Sequence, residues 1–308
     1  MRIAITGSSG LIGSALVRSL EADGHRVTRL VRRAPRSADE VRWEPLSGRL
    51  DPRALAGCAA VVHLAGAGIG DHRWTAAYRE EIRDSRVLGT TAVAKAVAEA
   101  AAAPDAPPAV LVSASAIGIY GDGGSEALDE DSPSGEGFLA DVCREWEAAA
   151  APAAEAGVRT VLARTGLVVS RHGGAWKRLF PLFRLGLGGP LGNGRQYWSF
   201  IALHDHVAAL RHALATGTLS GPVNLTAPLP VTNREVARVM GRVLHRPALL
   251  PAPAPALRLA LGGMAADVLA SQRVLPGRLL GSGFEFAYPD VESAVRAALA
   301  EEGHASAR

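Results

Sequence analysis

A chain of 308 residues with 48% hydrophobic and 20% charged side chains is long enough for one large or two smaller folded units with a sizeable core. Its 34 glycines fall in short clusters between apolar runs, which excludes collagen and low-complexity disorder, and Cys58 and Cys143 stand too far apart in sequence for a Cys-x-x-Cys metal or redox pair. The 33 cationic and 30 anionic side chains are interspersed without a block of five like charges, so a formal net charge of +3 predicts no nucleic-acid partner.

Residues 2–6, 26–31, 60–64, 109–113 and 159–163 are short apolar runs with β-branched side chains, each followed by enough chain for a helix. They predict five buried parallel strands. Residues 11–22 set Ile12, Leu16 and Leu20 on one helical face, and 74–103 and 138–156 are further helix-forming stretches. Strand and helix alternate through residue 165. The pattern predicts an α/β fold, a Rossmann-type doubly wound parallel sheet whose ligand lies at the carboxyl ends of the strands.

From Gly166 the texture changes, and glycines punctuate a stretch carrying Trp176, Phe180, Phe183, Tyr197, Trp198 and Phe200 that reads as a pocket wall. A helix at 204–215 and a strand at 223–226 return to the sheet, after which Thr232 or Asn233 caps a helix beginning at Arg234. The expected division is a dinucleotide-binding domain of residues 1–165 plus 203–226 and a smaller, mostly helical substrate domain of residues 166–202 plus 227–308. Residues 303–308 are expected to be disordered. The most apolar stretch, 247–257, is broken by Pro251, Pro253 and Pro255 and predicts no membrane span. The opening apolar run Ile3-Ala4-Ile5 is too brief for a secretory signal, and the expected compartment is the cytoplasm.

Thr6-Gly7-Ser8-Ser9-Gly10-Leu11-Ile12-Gly13 follows the first strand and opens the first helix. In that context Gly7 permits the tight turn, Gly10 lets a pyrophosphate approach the backbone, and Gly13 allows close helix-to-strand packing. The phosphates would rest on N–H groups at the helix start, which adds Ser9, Leu11 and Ile12 to the site. An NAD site normally ends its second strand with Asp or Glu on the ribose hydroxyls, whereas this chain reads Leu30-Val31-Arg32-Arg33. Arg32 and Arg33 offer forked hydrogen bonds to a 2′-phosphate, so the expected cofactor is NADP(H).

These residues, with Val62-His63-Leu64-Ala65-Gly66, Ser85-Arg86, Ser115-Ala116-Ile117-Gly118-Ile119-Tyr120-Gly121, Trp146-Glu147, Arg164-Thr165-Gly166 and Ser271-Gln272-Arg273-Val274-Leu275-Pro276, resemble the extended short-chain dehydrogenase/reductases. Within them the chain is similar to an atypical, sugar-nucleotide epimerase-like branch, and the resemblance spans nearly the whole sequence. It implies that Leu64, Ala65 and Gly66 pass beside the adenosine ribose and that Arg86 reaches toward cofactor or substrate.

The broader family moves its proton with Tyr-x-x-x-Lys. Here the residues four beyond Tyr78, Tyr120, Tyr197 and Tyr288 are Ile82, Gly124, Ile201 and Glu292, so the motif is missing; the resemblance places its Tyr and Lys near Leu139 and Cys143. Two polar positions of the branch are also lost, at Ala67 and in Phe200-Ile201-Ala202. Ser115 and Tyr120, just past the fourth strand, are the catalytic candidates, although a Tyr without a neighbouring cation is a poor base at neutral pH. Glu145 and Glu147 read as surface or packing carboxylates. His204-Asp205-His206 lacks a third ligand, so no metal is expected, and Asp205 reads as a brace for its helix. Lys177 and Arg178 are candidates for an anionic substrate. Two functions stay open: an NADP(H)-dependent oxidoreductase or epimerase-like enzyme acting on a carbonyl or nucleotide-linked small molecule, and an NADP(H)-binding sensor or structural protein with little turnover.

Overall fold

The computed structural model describes residues 1–103 and 107–305. Strands β1 (Arg2–Thr6), β2 (Arg26–Val31), β3 (Glu40–Arg42), β4 (Ala60–His63), β5 (Val110–Ala116), β6 (Arg159–Thr165) and β7 (Gly221–Leu225) form a seven-stranded sheet in the spatial order β7-β6-β5-β4-β1-β2-β3. Every pairing in it is parallel. The chain fills one half outward from β1, then crosses to β4, so the order reverses between β1 and β4 and opens a crevice at their carboxyl ends.

The predicted strands are present, and β5 and β6 run further toward their carboxyl ends than their apolar runs because Ser115 and Arg164 stay paired in register. Strand β3 was not expected; its three residues, Glu-Val-Arg, carry no apolar run to mark it. The helices are α1 (Leu11–Ala22), α2 (Ala76–Ala101), α3 (Phe138–Ala148), α4 (Ala151–Glu155), α5 (Gly174–Arg184), α6 (Leu203–Ala215), α7 (Asn233–Leu244), α8 (Ala254–Leu261), α9 (Met264–Leu269), α10 (Gly277–Gly281) and α11 (Val291–Ala305). The single helix expected over 138–156 is two, because Pro152 lacks the N–H that a continuing helix needs and is tolerated only in the first turn of α4. Thr232 is the cap of α7, accepting from the Glu235 N–H. Helix α11 continues past the expected start of the tail at Gly303, and residues 306–308 lie outside the described residues.

Alternation along the strands sends successive side chains to opposite faces. Ile3, Ile5, Val62, Val112 and Val161 pack against Leu16 and Leu20 of α1 and Leu210 of α6. Ala4, Leu30, Val61 and Leu111 pack the other way, against Val93 and Val97 of α2. Each such Leu or Val contributes about 1.5–3 kcal/mol by leaving water. A second apolar cluster joins Trp176, Phe180, Phe183, Trp198 and Phe200 to Val236 and Met240 of α7 and Val295 of α11. This corrects the expected pocket wall: Trp176 and Phe200 are 0% exposed and Phe180 2%, so these rings are core and present no lining to a ligand.

Candidate active site

The glycine turn is as tight as its spacing requires. Gly7 takes φ 66°, and a Cβ there would come within 2.8 Å of the Leu64 carbonyl carbon and 3.0 Å of the Ala65 nitrogen. A Cβ on Gly13 would lie 2.1 Å from the Gly7 oxygen, so α1 can start only on bare backbone. Gly10 is the N-cap of α1, with no side-chain cap and no acidic residue in the first turn. The first N–H groups of the helix, at Leu11 and Ile12, are thus left for another acceptor, with the positive end of the helix dipole behind them. Ser9 and Gly10 are exposed, whereas Gly13 is buried.

Thr6, which the sequence reading did not single out, binds the two sides of the crevice. Its hydroxyl accepts from the Leu64 and Ala65 N–H groups at 3.0 and 3.2 Å and meets His63 Nδ1 at 2.8 Å. With two donors on the oxygen, the hydroxyl proton points to Nδ1 and His63 carries its own proton on Nε2. Burial pushes the His63 pKa down to about 4 and keeps the ring neutral. Leu64, Ala65 and Gly66 are thereby fixed beside Gly7. The clue was the position of Thr6 at the last register pair of β1 and β4, opposite His63.

The two arginines ending β2 differ. Arg33 forks onto Glu40 at 2.7 and 2.6 Å, and Glu40, which also accepts from the Arg36 N–H, is held down at about 2 by that Arg33 contact first. Arg32 is exposed and has no hydrogen bond or ion pair among the described residues. Glu40 is thus committed to Arg33 and Arg36, as Asp39 is to Arg29 and Glu44 to Arg42, and Arg32 is open.

Arg86 on α2 lies across the crevice from the turn. Its side chain reaches within 3.5 Å of the position a Gly66 Cβ would take, its guanidinium sits 5.0 Å over the Trp146 ring, and it donates to the Ile82 carbonyl at 3.0 Å. Burial lowers its pKa. Beside it on α3 the surroundings are apolar: Leu139 packs with Trp74, Tyr78, Ile82 and Met264, and burial pushes the Cys143 thiol up to about 12.

Ser115, Arg164 and Asn224 face one another in one row across β5, β6 and β7. Ser115 donates to Glu147 Oε1 at 2.6 Å; Arg164 clasps the same carboxylate with Nε and Nη2 at 2.8 and 2.9 Å and donates a third N–H to the Tyr120 hydroxyl at 2.9 Å. Tyr120 donates its own O–H to Asn224 Oδ1 at 2.8 Å, and Glu130 accepts the Asn224 backbone N–H. Glu147 therefore has partners and a half-buried place, which corrects its reading as a surface or packing carboxylate; only tertiary contact brings Arg164 to it. Tyr120 does have a neighbouring cation, again contrary to expectation, yet burial outweighs Arg164 and its pKa is raised. Glu145, by contrast, pairs with Arg83 on the surface at 2.7 Å.

Arg178 donates to the Gly70 carbonyl and ties α5 to the loop after β4, while Lys177 is exposed. Asp205 accepts from the Ala287 and Tyr288 N–H groups at 3.1 and 2.8 Å, bracing the C-terminal segment on α6, and His206 is buried against Thr165 with its pKa lowered to about 4 by burial. Among the described residues no three His, Cys, Asp or Glu side chains converge on a metal position.

Comparison with known proteins identifies the family and agrees with the fold. The model of the NAD dependent epimerase/dehydratase family matches residues 3–225, and a domain of unknown function, DUF1731, matches residues 252–298. An epimerase family protein of Mycobacterium bovis is 47% identical over 302 residues, covering 98% of both chains. Human epimerase family protein SDR39U1, solved with NADPH, superposes with a TM-score of 0.88 at 34% identity over 96% of this chain and 98% of that one. A nucleoside-diphosphate sugar epimerase of Corynebacterium glutamicum gives a TM-score of 0.79 at 38% identity over 98% of this chain and 58% of that one.

Proposed function

The chain belongs to the NAD dependent epimerase/dehydratase family, and from that premise we propose that it is an NADP(H)-dependent oxidoreductase or epimerase-like enzyme of a small carbonyl or nucleotide-linked substrate. The observation that carries the NADP(H) reading is Arg32, exposed and without a partner among the described residues at the end of β2, next to a helix start that has no acidic group of its own. A guanidinium there matches a 2′-phosphate, and the neighbouring carboxylate of Glu40 is already held by Arg33.

In this reading the phosphates rest on the turn from Gly7 through Gly13, Leu64, Ala65 and Gly66 border the adenosine ribose, and Arg86 supplies the cation that the missing lysine would have provided. When bound, the nicotinamide supplies or takes the hydride. Ser115 orients the reacting oxygen. Tyr120, bonded to Arg164 and Asn224, is a positioning residue that acts through Arg164 on Glu147 and so on Ser115. The cofactor domain comprises residues 1–165 plus 203–226 and the substrate domain residues 166–202 plus 227–308. The relatives support the assignment by analogy: the human protein was solved with NADPH, and the corynebacterial one is named for nucleoside-diphosphate sugars. The proposed compartment is the cytoplasm; among the described residues no helix is long and apolar enough to cross a membrane.

A second reading rests on a separate observation. The acid/base positions hold Leu139 and Cys143, and the Ser115 and Tyr120 hydroxyls are both spent on internal partners, which suits an NADP(H)-binding protein with little turnover. Titration with NADPH and NADH tests the cofactor assignment. Arg32→Ala should weaken NADPH about tenfold or more and leave NADH nearly unchanged; equal losses for both would sink the 2′-phosphate reading. Oxidation of bound NADPH by any member of a carbonyl and sugar-nucleotide panel would separate the enzyme from the binding protein.

A further inference from the structure

We infer that an arginine-lined groove beside α7 binds a phosphate-bearing ligand, at a place separate from the dinucleotide cradle. Helix α7 carries Arg234, Arg238 and Arg242 at four-residue intervals, which helix geometry lines up along one edge about 6 Å apart. After the helix, His245 adopts a left-handed φ of 53° and turns the chain back, bringing Arg246 to the same side. The four arginines line an open groove of about 290 Å³ over a floor of Ala237 and Gly241. Gly241 is needed there: a Cβ would lie 2.8 Å from the Ala248 Cβ and 2.9 Å from the Arg246 oxygen, so the returning chain seats directly on the helix and forms the second wall.

The guanidinium groups are accessible and incompletely used. Arg238 is 66% and Arg242 49% exposed. Arg238 forks onto Glu235, Arg242 meets Glu292, Arg234 gives one N–H to the Asn193 carbonyl, and Arg246 gives one N–H to the Arg184 carbonyl and one to its neighbour His245. Each guanidinium has five N–H groups, so donors remain on all four, and Glu235 and Glu292 are the only anionic partners of these arginines among the described residues. A phosphate answers both the surplus charge and the planar fork, because it brings nearly two negative charges and three acceptor oxygens. Pro190, Ala248 and Leu249 form an apolar wall for the rest of the ligand, and Leu249 is 81% exposed. The phosphate has two possible sources, a free nucleotide or an anionic lipid headgroup. Exposed Leu185, Leu187 and Leu250 on the flanking segments suit the second.

The site shares no residue with the cradle, so the inference does not rest on the proposed cofactor. The test is calorimetric titration of the full chain, saturated with NADPH, with ATP and with inorganic triphosphate. In parallel the protein is sedimented with phosphatidylcholine vesicles with and without phosphatidylglycerol. Saturable binding is expected in one arm: ATP or triphosphate identifies a soluble ligand, and phosphatidylglycerol vesicles alone identify a headgroup. Arg238→Ala with Arg242→Ala should weaken that binding about tenfold or more, with the two lysine substitutions intermediate, because lysine keeps the charge and loses the fork. NADPH affinity should stay unchanged. Both positions are exposed, and Arg246→Ala gives an independent second variant. No saturable binding in either arm, or equal binding by the wild type and the alanine variants, would overturn the inference. Failure to take up NADPH with anion binding intact would remove the cofactor reading and leave this one standing.

Discussion

At the carboxyl ends of β1, β2 and β4 the unused polar groups are backbone amides at the start of α1 and the exposed guanidinium of Arg32. At the ends of β5, β6 and β7 the polar groups are side chains already bonded to one another, from Ser115 through Glu147, Arg164 and Tyr120 to Asn224. The first region is preorganised and open, made of groups that fold into place and wait for an external acceptor. The second is closed, because a buried ion pair is tolerable only when its remaining donors and acceptors are satisfied internally. The contrast separates a region left open to an external anion from one whose polar side chains are spent on one another.

The contrast can be broken most severely from the closed side. Glu147→Ala leaves Arg164 buried at 9% side-chain exposure without its carboxylate, and thermal or urea unfolding should show a loss of about 3–5 kcal/mol. A near-normal stability would mean that the network is far more hydrated than its contacts indicate. Gly13→Ala attacks the open side by pressing a methyl group on the Gly7 oxygen. It should lose about 1–3 kcal/mol and most NADPH affinity together, since the turn must shift to admit it.

Acid should act on both regions. His63 and His206 have pKa values of about 4 in the fold against about 6.5 in the unfolded chain, so the unfolded state binds more protons between those values. Their contribution is complete above pH 6.5, declines as the pH falls through that window and is gone below about 4, on the order of 3 kcal/mol for each histidine. His63→Asn should flatten part of the slope in a stability-against-pH series; an unchanged slope would mean His63 titrates normally. The mildest change is Tyr120→Phe, which strips Asn224 Oδ1 and one Arg164 N–H of a partner and should cost about 1–3 kcal/mol at most. With a substrate in hand, a drop in kcat beyond what that stability loss explains would show that positioning through Arg164 matters.

The open region was readable in advance because its logic is local: Gly7, Gly10 and Gly13 sit in consecutive turns of one chain segment, and the spacing states the backbone geometry. Thr6 and His63 were missed although they lie beside those glycines, since their bond joins two strands at positions 57 residues apart in sequence. The closed region was misread for the same reason on a larger scale. Glu147 has no partner within its own helix, and its Arg comes from β6 by register. The aromatic residues after Gly166 looked like a pocket because glycines surround them, yet packing against α7 and α11 takes them into a core.

The sequence by itself determined the alternation of strands and helices, the glycine turn, the pair of arginines after β2 and the absence of Tyr-x-x-x-Lys, all of which depend on residue type and short-range spacing. Only the tertiary structure decided that Arg33 is spent on Glu40 and Arg32 is not, that Ser115 leans on Glu147, and that four arginines of the C-terminal region share one groove. Hydrogen bonds and ion pairs reach about 3 Å, and which side chains come that close is set by strand register and helix packing, quantities that no single stretch of chain contains.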